Sequence, residues 1–300
     1  VIIFRRRVKM RKIVLLILAI IILFSISYAQ TYGGFSEGPA LGWSPRAMGM
    51  GGAFITIEGD INGITYNPAS IARLYNSQFF ISYNYLGLNP ESLGFSGSNI
   101  TGTIISFGVP DKGMWASALY YSRISPDEEL GVRYSENVLA YSMGKVLFSN
   151  LSVGMNIKRM WAVLPSPYNS EGFGIDFGVI FKITPQVKIG AVVYNIYNNL
   201  SWSDGTESYN ELITPNIKVG LSYQSENLVV SGNVSIPSLS FQVGGEYLFK
   251  KVIYVRLGWN IDSPTFGLGF KKDNIVIDYA LLYSLNLGGF HHRVGLSMSF

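Results

Sequence analysis

Residues 173–182 read FGIDFGVIFK. Phe173, Ile175, Phe177, Val179 and Phe181 fall on one side of an extended chain, and Gly174, Asp176, Gly178 and Lys182 on the other. Successive side chains of a strand point to opposite faces, so this period of two reads as a strand with one large apolar face and one small polar face. The same alternation recurs downstream. Ile217, Val219, Leu221 and Tyr223 alternate with Asn216, Lys218, Gly220, Ser222 and Gln224. Ile253, Val255, Leu257 and Trp259 alternate with Arg256, Gly258 and Asn260, and Val294, Leu296, Met298 and Phe300 with Arg293, Gly295, Ser297 and Ser299. A soluble sandwich would carry charge on its outer face. Here the polar face is glycine, serine and asparagine, as in a barrel whose small face lines a lumen and whose apolar face meets lipid.

Fourteen such segments can be marked, near 79–87, 100–109, 114–123, 133–144, 151–163, 172–183, 187–198, 213–224, 228–236, 240–249, 252–261, 265–271, 275–284 and 290–300. An even number suits a single-chain outer-membrane barrel, as does the alternation of tight connections with longer ones such as 124–132, 164–171 and 199–212. Short turns belong to the periplasmic side, which places both mature termini there. Trp115, Tyr121, Trp161, Phe181, Tyr197, Tyr223, Phe249, Trp259, Phe270 and Phe290 sit near predicted strand ends, where aromatic rings favour the headgroup boundary. The expected fold is therefore all-β, a transmembrane antiparallel up-and-down barrel of about fourteen strands.

Composition agrees. Of 300 residues only 14% are charged, while glycine numbers 33, tyrosine 19, phenylalanine 18 and cysteine none. Soluble domains carry about 25% charged residues. Arg5, Arg6, Arg7, Lys9, Arg11 and Lys12 precede an apolar run over Ile13–Phe24, and Ser27-Tyr28-Ala29 follows. This is the layout of a cleavable signal peptide over residues 1–29, and MRKIVLLILAI from Met10 would make a complete leader by itself. Removing 1–29 leaves 17 basic against 19 acidic residues, so the apparent basicity argues for no nucleic-acid partner.

Between leader and strands lies a Gly-rich, weakly periodic stretch, residues 30–78, with short helical turns expected around Pro45–Met48 and Ala69–Leu74. Ser44 to Ala72 reads SPRAMGMGGAFITIEGDINGITYNPASIA. Gly49, Gly51 and Gly52 suit backbone that presses against other backbone. Asp60 marks a turn, and Asn67-Pro68-Ala69 closes the segment. The run PRAMGMGGAF with a downstream NPA resembles the N-terminal plug of the FadL/PorV-like superfamily of outer-membrane barrels. The resemblance implies a plug over residues 30–78 inside a barrel of residues 79–300, with Arg46, Gly49, Gly51, Gly52, Asp60, Asn67 and Pro68 as plug positions. It also implies one of two roles: passive uptake of hydrophobic small molecules, or a PorV-like barrel that receives secreted proteins in a type IX-like system. Modest outer loops and a small plug leave little room for either a deep ligand site or a cargo platform; uptake is the favoured expectation. Implied partners are outer-membrane lipid, a hydrophobic ligand, and the barrel-insertion machinery, which the terminal strand ending at Phe300 would engage.

No catalytic set emerges, so no enzyme and no cofactor is expected. Gly34-Phe35-Ser36-Glu37-Gly38 matches a nucleophile-elbow pattern without its strand and helix. Gly49-Met50-Gly51-Gly52 does not complete a dinucleotide fingerprint, because Phe54 takes the last glycine position. His291 and His292 are strand neighbours facing opposite sides and cannot share a metal. The remaining candidates are lumen charges: Asp176, Glu246, Arg256, Asp278 and Arg293. Pairing Phe249 with Ile253 across a tight turn would set Glu246 opposite Arg256, as ion pairs that fasten the plug or tie strands together.

Overall fold

The computed structural model describes residues 43–87, 99–126, 134–236, 239–285 and 289–300. The expected signal peptide and Gly34–Gly38 lie outside the described residues. The first described element is a short helix, α1 (Pro45–Gly49), followed by 3₁₀ turns at Ile61–Gly63 and Pro68–Arg73. Fifteen strands follow: β1 (Gln78–Leu86), β2 (Ile100–Val109), β3 (Ala116–Pro126), β4 (Ser135–Phe148), β5 (Leu151–Val163), β6 (Asn169–Lys182), β7 (Val187–Ser203), β8 (Ser208–Glu211), β9 (Asn216–Gln224), β10 (Leu228–Ile236), β11 (Phe241–Phe249), β12 (Ile253–Asn260), β13 (Ser263–Lys272), β14 (Ile275–Ser284) and β15 (Gly289–Ser299).

Neighbours in sequence pair antiparallel, and β15 returns to pair with β1, Ser299 opposite Gln78 and His291 opposite Leu86. β8 and β9 share one edge of β7, so the closed wall has fourteen staves. Among the described residues every strand but the short β8 pairs on both edges, as hydrocarbon requires of any sheet placed in it. Phe177, Leu221, Val243, Leu257, Leu268 and Val294 face outward and are exposed, while Gly178, Ser222, Gly244, Gly258 and Gly295 face the interior. The exposed face is thus an apolar belt around a polar, glycine-rich interior, the arrangement of a transmembrane barrel. No helix among the described residues is long and apolar enough to cross a membrane.

The wall differs from the sequence expectation on one side. The segment expected at 213–224 becomes β9 only from Asn216, and the expected loop 199–212 instead holds the end of β7, to Ser203, and all of β8. Pro215 has no N–H for the ladder, which interrupts the strand. Above it the polar run Asn198–Ser203 turns back on Ser208–Glu211, and with so few apolar residues there is little alternation to read. Ile217, expected to face outward, is buried at this irregular place, opposite Val193 and Ile236.

If the belt lies in lipid, Leu221→Arg should lower stability in vesicles by about 2–4 kcal/mol, and Tyr223→Arg, at the rim of the same strand, by about 0–1 kcal/mol. Denaturant titration of the two variants in phospholipid vesicles measures both, and equal costs would argue against the belt.

Candidate functional site

The segment from Trp43 to Ser77 runs through the barrel, and its backbone geometry follows from a few residues. Ser44 caps α1, its Oγ accepting from Ala47 N and donating to Asn62 Oδ1 at 2.7 Å, and Pro45 takes the first helical position, which suits its fixed φ. Gly51 and Gly52 then turn the chain at φ of 66° and 76°. Gly51 N donates to Thr265 Oγ1 on β13, which donates in turn to Gly49 O. A Cβ on Gly51 would lie 2.5–2.7 Å from backbone of Val243 and Trp259, and one on Gly244 or Gly258 would strike Met50 and Gly51. Glycine therefore faces glycine across this contact.

Asp60 caps the turn Ile61–Gly63 through its Oδ1, which accepts from Asn62 N at 2.8 Å. Asn67 does the same for Pro68–Arg73, accepting from Ala69 N at 3.0 Å. The Asn67 amide also donates to Ile55 O at 2.7 Å and to Val179 O on β6 at 3.2 Å. Its carbonyl occupies the space that a Cβ on Gly178 would need, and the Pro68–Ala69 backbone lies over Gly154. The NPA run is thus seated on β5 and β6, and the RAMGMGG run on β11–β13.

Two charge clusters tie the segment to opposite parts of the wall. Arg46 grips Glu246 with two hydrogen bonds, of 2.9 and 2.6 Å, and also pairs with Asp60. Glu246 accepts from Arg256 Nε at 2.6 Å, and Arg256 Nη1 reaches Asp278 at 2.7 Å. The order Asp60–Arg46–Glu246–Arg256–Asp278 alternates in sign, with the Tyr254 ring 6.0 and 5.0 Å from the two guanidinium carbons. Glu246 and Arg256 are direct cross-strand partners, as are Phe249 and Ile253. On the other side, Glu58 accepts from Ser152 Oγ at 2.5 Å and meets Arg73, Lys188 and Lys182 at 2.9, 3.2 and 3.3 Å. Burial would raise the Glu58 pKa, but the Ser152 hydrogen bond and the three cations outweigh it and hold it below the ordinary value. A cavity of about 240 Å³ at the tight-turn end is lined by Arg46, Glu58, Asp60, Arg256 and Asp278, among others.

The other anticipated charges lie elsewhere. Asp176 sits at a bulge, accepting from Lys158 Nζ at 2.6 Å and from the backbone of Asn195, whose φ is 54°. Arg293 is buried in the wall on β15. His291 faces the interior, and His292 faces out beside the Tyr279 hydroxyl, 2.7 Å away. No acidic, histidine or cysteine group among the described residues could hold a metal. Glu58, Lys158, Asn195 and Asn198 escaped the sequence reading. Glu58 precedes the first strand and has no alternation to mark it. The bulge that matters for Lys158 and Asn195 depends on a register shift between β6 and β7.

Towards the longer-loop end the interior becomes apolar: Met160, Ala162, Leu200 and Ile213 cluster with Val138, Leu164 and Trp202. Beside them the wall's ladder is interrupted. β7 pairs with β9 as far as Tyr194 opposite Asn216, and with β8 only from Leu200 opposite Glu211. In between, Asn198 uses its side chain as a peptide substitute, donating to Ile213 O at 2.8 Å and accepting from Ile213 N at 2.7 Å.

No protein-family model matches the chain, and no curated protein matches it. Solved structures do. The toluene transporter TbuX of Ralstonia pickettii is 15% identical, with 87% of this chain and 99% of that one covered, at a TM-score of 0.64. The toluene transporter TodX of P. putida is 12% identical over the same shares, at 0.65. A Pseudomonas aeruginosa FadL homologue is 14% identical over 86% and 98%, at 0.57. The fold is accordingly that of the FadL-like barrels.

Two expectations follow for the lumenal segment. Gly51→Leu should displace it and raise single-channel conductance in a planar bilayer, while the barrel keeps its heat-modifiable gel mobility. Because Glu58 is depressed, its attachment holds from neutral pH down to the ordinary carboxylate range and is lost only as pH falls through its lowered pKa. Conductance should therefore stay constant from neutral pH to that point and rise below it, a rise that Glu58→Gln should abolish.

Proposed function

We propose that this chain is a plugged channel of a bacterial outer membrane that takes up hydrophobic small molecules passively. The residues from 30 to 78 serve as the plug, with Arg46, Gly49, Gly51, Gly52, Asp60, Asn67 and Pro68 holding it in place. The lumen charges Asp176, Glu246, Arg256, Asp278 and Arg293 act as fasteners rather than as a selectivity filter. The observation that carries this reading is the division of the lumen: closely packed charge and glycine contacts around α1 and the NPA turn, and an apolar cluster above them beside the ladder interruption at Asn198 and Ile213. An apolar solute entering from the longer-loop side would meet the cluster first, then the segment. The interruption of the ladder lies beside it, which offers a sideways exit into lipid. The solved relatives named as toluene transporters support uptake over the secretion role. Insertion into the membrane proceeds through recognition of β15 and Phe300, with both mature termini periplasmic.

Crystals of the purified barrel soaked in bromobenzene should show anomalous density against Leu200, Ile213 and Met160. Leu200→Asp should reduce uptake of labelled toluene by cells about tenfold or more, because the ligand would have to desolvate a carboxylate. Density confined to the detergent belt, together with capture of a secreted protein by the outer loops, would overturn the reading.

A further inference from the structure

The turns that join β11 to β12 and β13 to β14 lie side by side, linked by a hydrogen bond from Lys271 N to Val252 O of 2.7 Å. Together they carry Lys250, Lys251, Lys271 and Lys272 against one acid, Asp273, with Glu226 in the neighbouring β9–β10 turn. Of these four lysines only Lys251 has an acidic partner among the described residues, Glu226 at 3.5 Å, and both side chains are more than three-quarters exposed. Such a pair is screened by water and leaves the field of the cluster largely intact.

The backbone makes these lysines harder to explain as turn formers. Lys250 and Lys251 have φ of 49° and 60°, consecutive left-handed residues in a tight hairpin. That geometry favours Asn-Gly or Asp-Gly, because any other side chain crowds its own following carbonyl. Two lysines are the wrong residues for the turn and the right ones for an anion.

Immediately behind them the outer wall is apolar. Phe249, Ile253, Phe270 and Ile277 stand in one cross-strand row and are 47, 40, 51 and 52% exposed. Tyr247, Val255, Leu268 and Tyr279 form the next row. The Lys250 ammonium lies 5.3 Å from the Phe249 ring centre, at the boundary between charge and apolar surface where long basic side chains are favoured. The described connections at the opposite end of the wall carry acids instead, Asp204, Glu207 and Asp262.

We propose that the tight-turn end of β11–β14 is a binding site for an anionic phospholipid, its phosphate among Lys250, Lys251, Lys271 and Lys272 and an acyl chain along the Phe249–Ile277 row. The occupant is a lipid rather than an acidic protein, because the cations continue directly into the apolar belt that faces the bilayer. Tight turns face the periplasm in such barrels, so the lipid belongs to the inner leaflet. The proposal rests on the membrane-spanning reading but not on any particular transported solute.

Native mass spectrometry of the full barrel, released from bilayers of equal phosphatidylglycerol and phosphatidylcholine, tests it. Phosphatidylglycerol should be retained about tenfold over phosphatidylcholine, the scale expected of a few lysines at a surface, and less so in high salt. Lys250→Asn with Lys251→Gly supplies the favoured turn residues, so this variant should fold at least as well and still lose most of the preference. Adding Lys271→Gln and Lys272→Gln should abolish it. Equal retention of both lipids by the unaltered barrel, or a preference that survives all four replacements, would overturn the proposal. So would displacement of the bound lipid by inorganic phosphate alone, or binding of an acidic protein at these lysines without a lipid preference. Insertion without headgroup preference refutes this site only; failure to insert refutes the membrane reading and the site with it.

Discussion

Hydrocarbon offers no partner to a backbone N–H or C=O, and that constraint governs the wall. Each strand must pair on both edges, so the last strand has to meet the first, and β15 does so along the full length of β1. With both edges used, only the faces of the strands remain free to differ. One face becomes apolar because it touches lipid, and the other becomes small because a fourteen-stave ring must still accommodate a chain segment. Where the ladder lapses between β7 and the β8–β9 edge, the Asn198 amide presents a donor and an acceptor in the same sense as a peptide group.

Inside, the problem is one of volume and charge. Wall glycines let the backbone of residues 49–51 and 67–69 come to contact distance, so main chain packs on main chain without intervening side chains. Beside that contact, charges are enclosed around the cavity, and they must find each other. The alternating series from Asp60 to Asp278 meets this need, each guanidinium lying between two carboxylates. Replacing such a series by apolar groups of similar volume is often neutral in energy. Its value here is positional, since Arg46 on the segment joins Glu246 and thereby Arg256 and Asp278 on three different strands.

Much of this was legible in the order of residues. The period of two located the strands because each lies half in lipid, where one wrong face is costly. Glu246 and Arg256 could be paired in advance because a tight hairpin sets its register within a few residues. The close fit of Gly51 to Gly244 and Gly258 was not legible, because it joins positions about two hundred apart and glycine carries no pattern of its own. Asn195 as the partner of Asp176 and Lys158 escaped for a related reason: the bulge there shifts the register between β6 and β7, and only the folded ladder reveals it. The extra length of β7 was hidden by its polar composition, where lipid no longer demands alternation.

The meeting of β1 with β15 also fixes an order of events. The lumenal segment immediately precedes β1 in the chain, while β15 is made last, so the two sides of the final seam are separated by nearly the entire wall. Once that seam closes, the interior has no room for main chain to slide past Gly154, Gly178, Gly244 or Gly258. Residues 43–77 meet least obstruction when laid against a sheet that is still open, with Gly154 and Gly178 on one part of it and Gly244 and Gly258 on another. In that order the segment is a former for the winding of the barrel, and a wall that closed early would shut out its own contents.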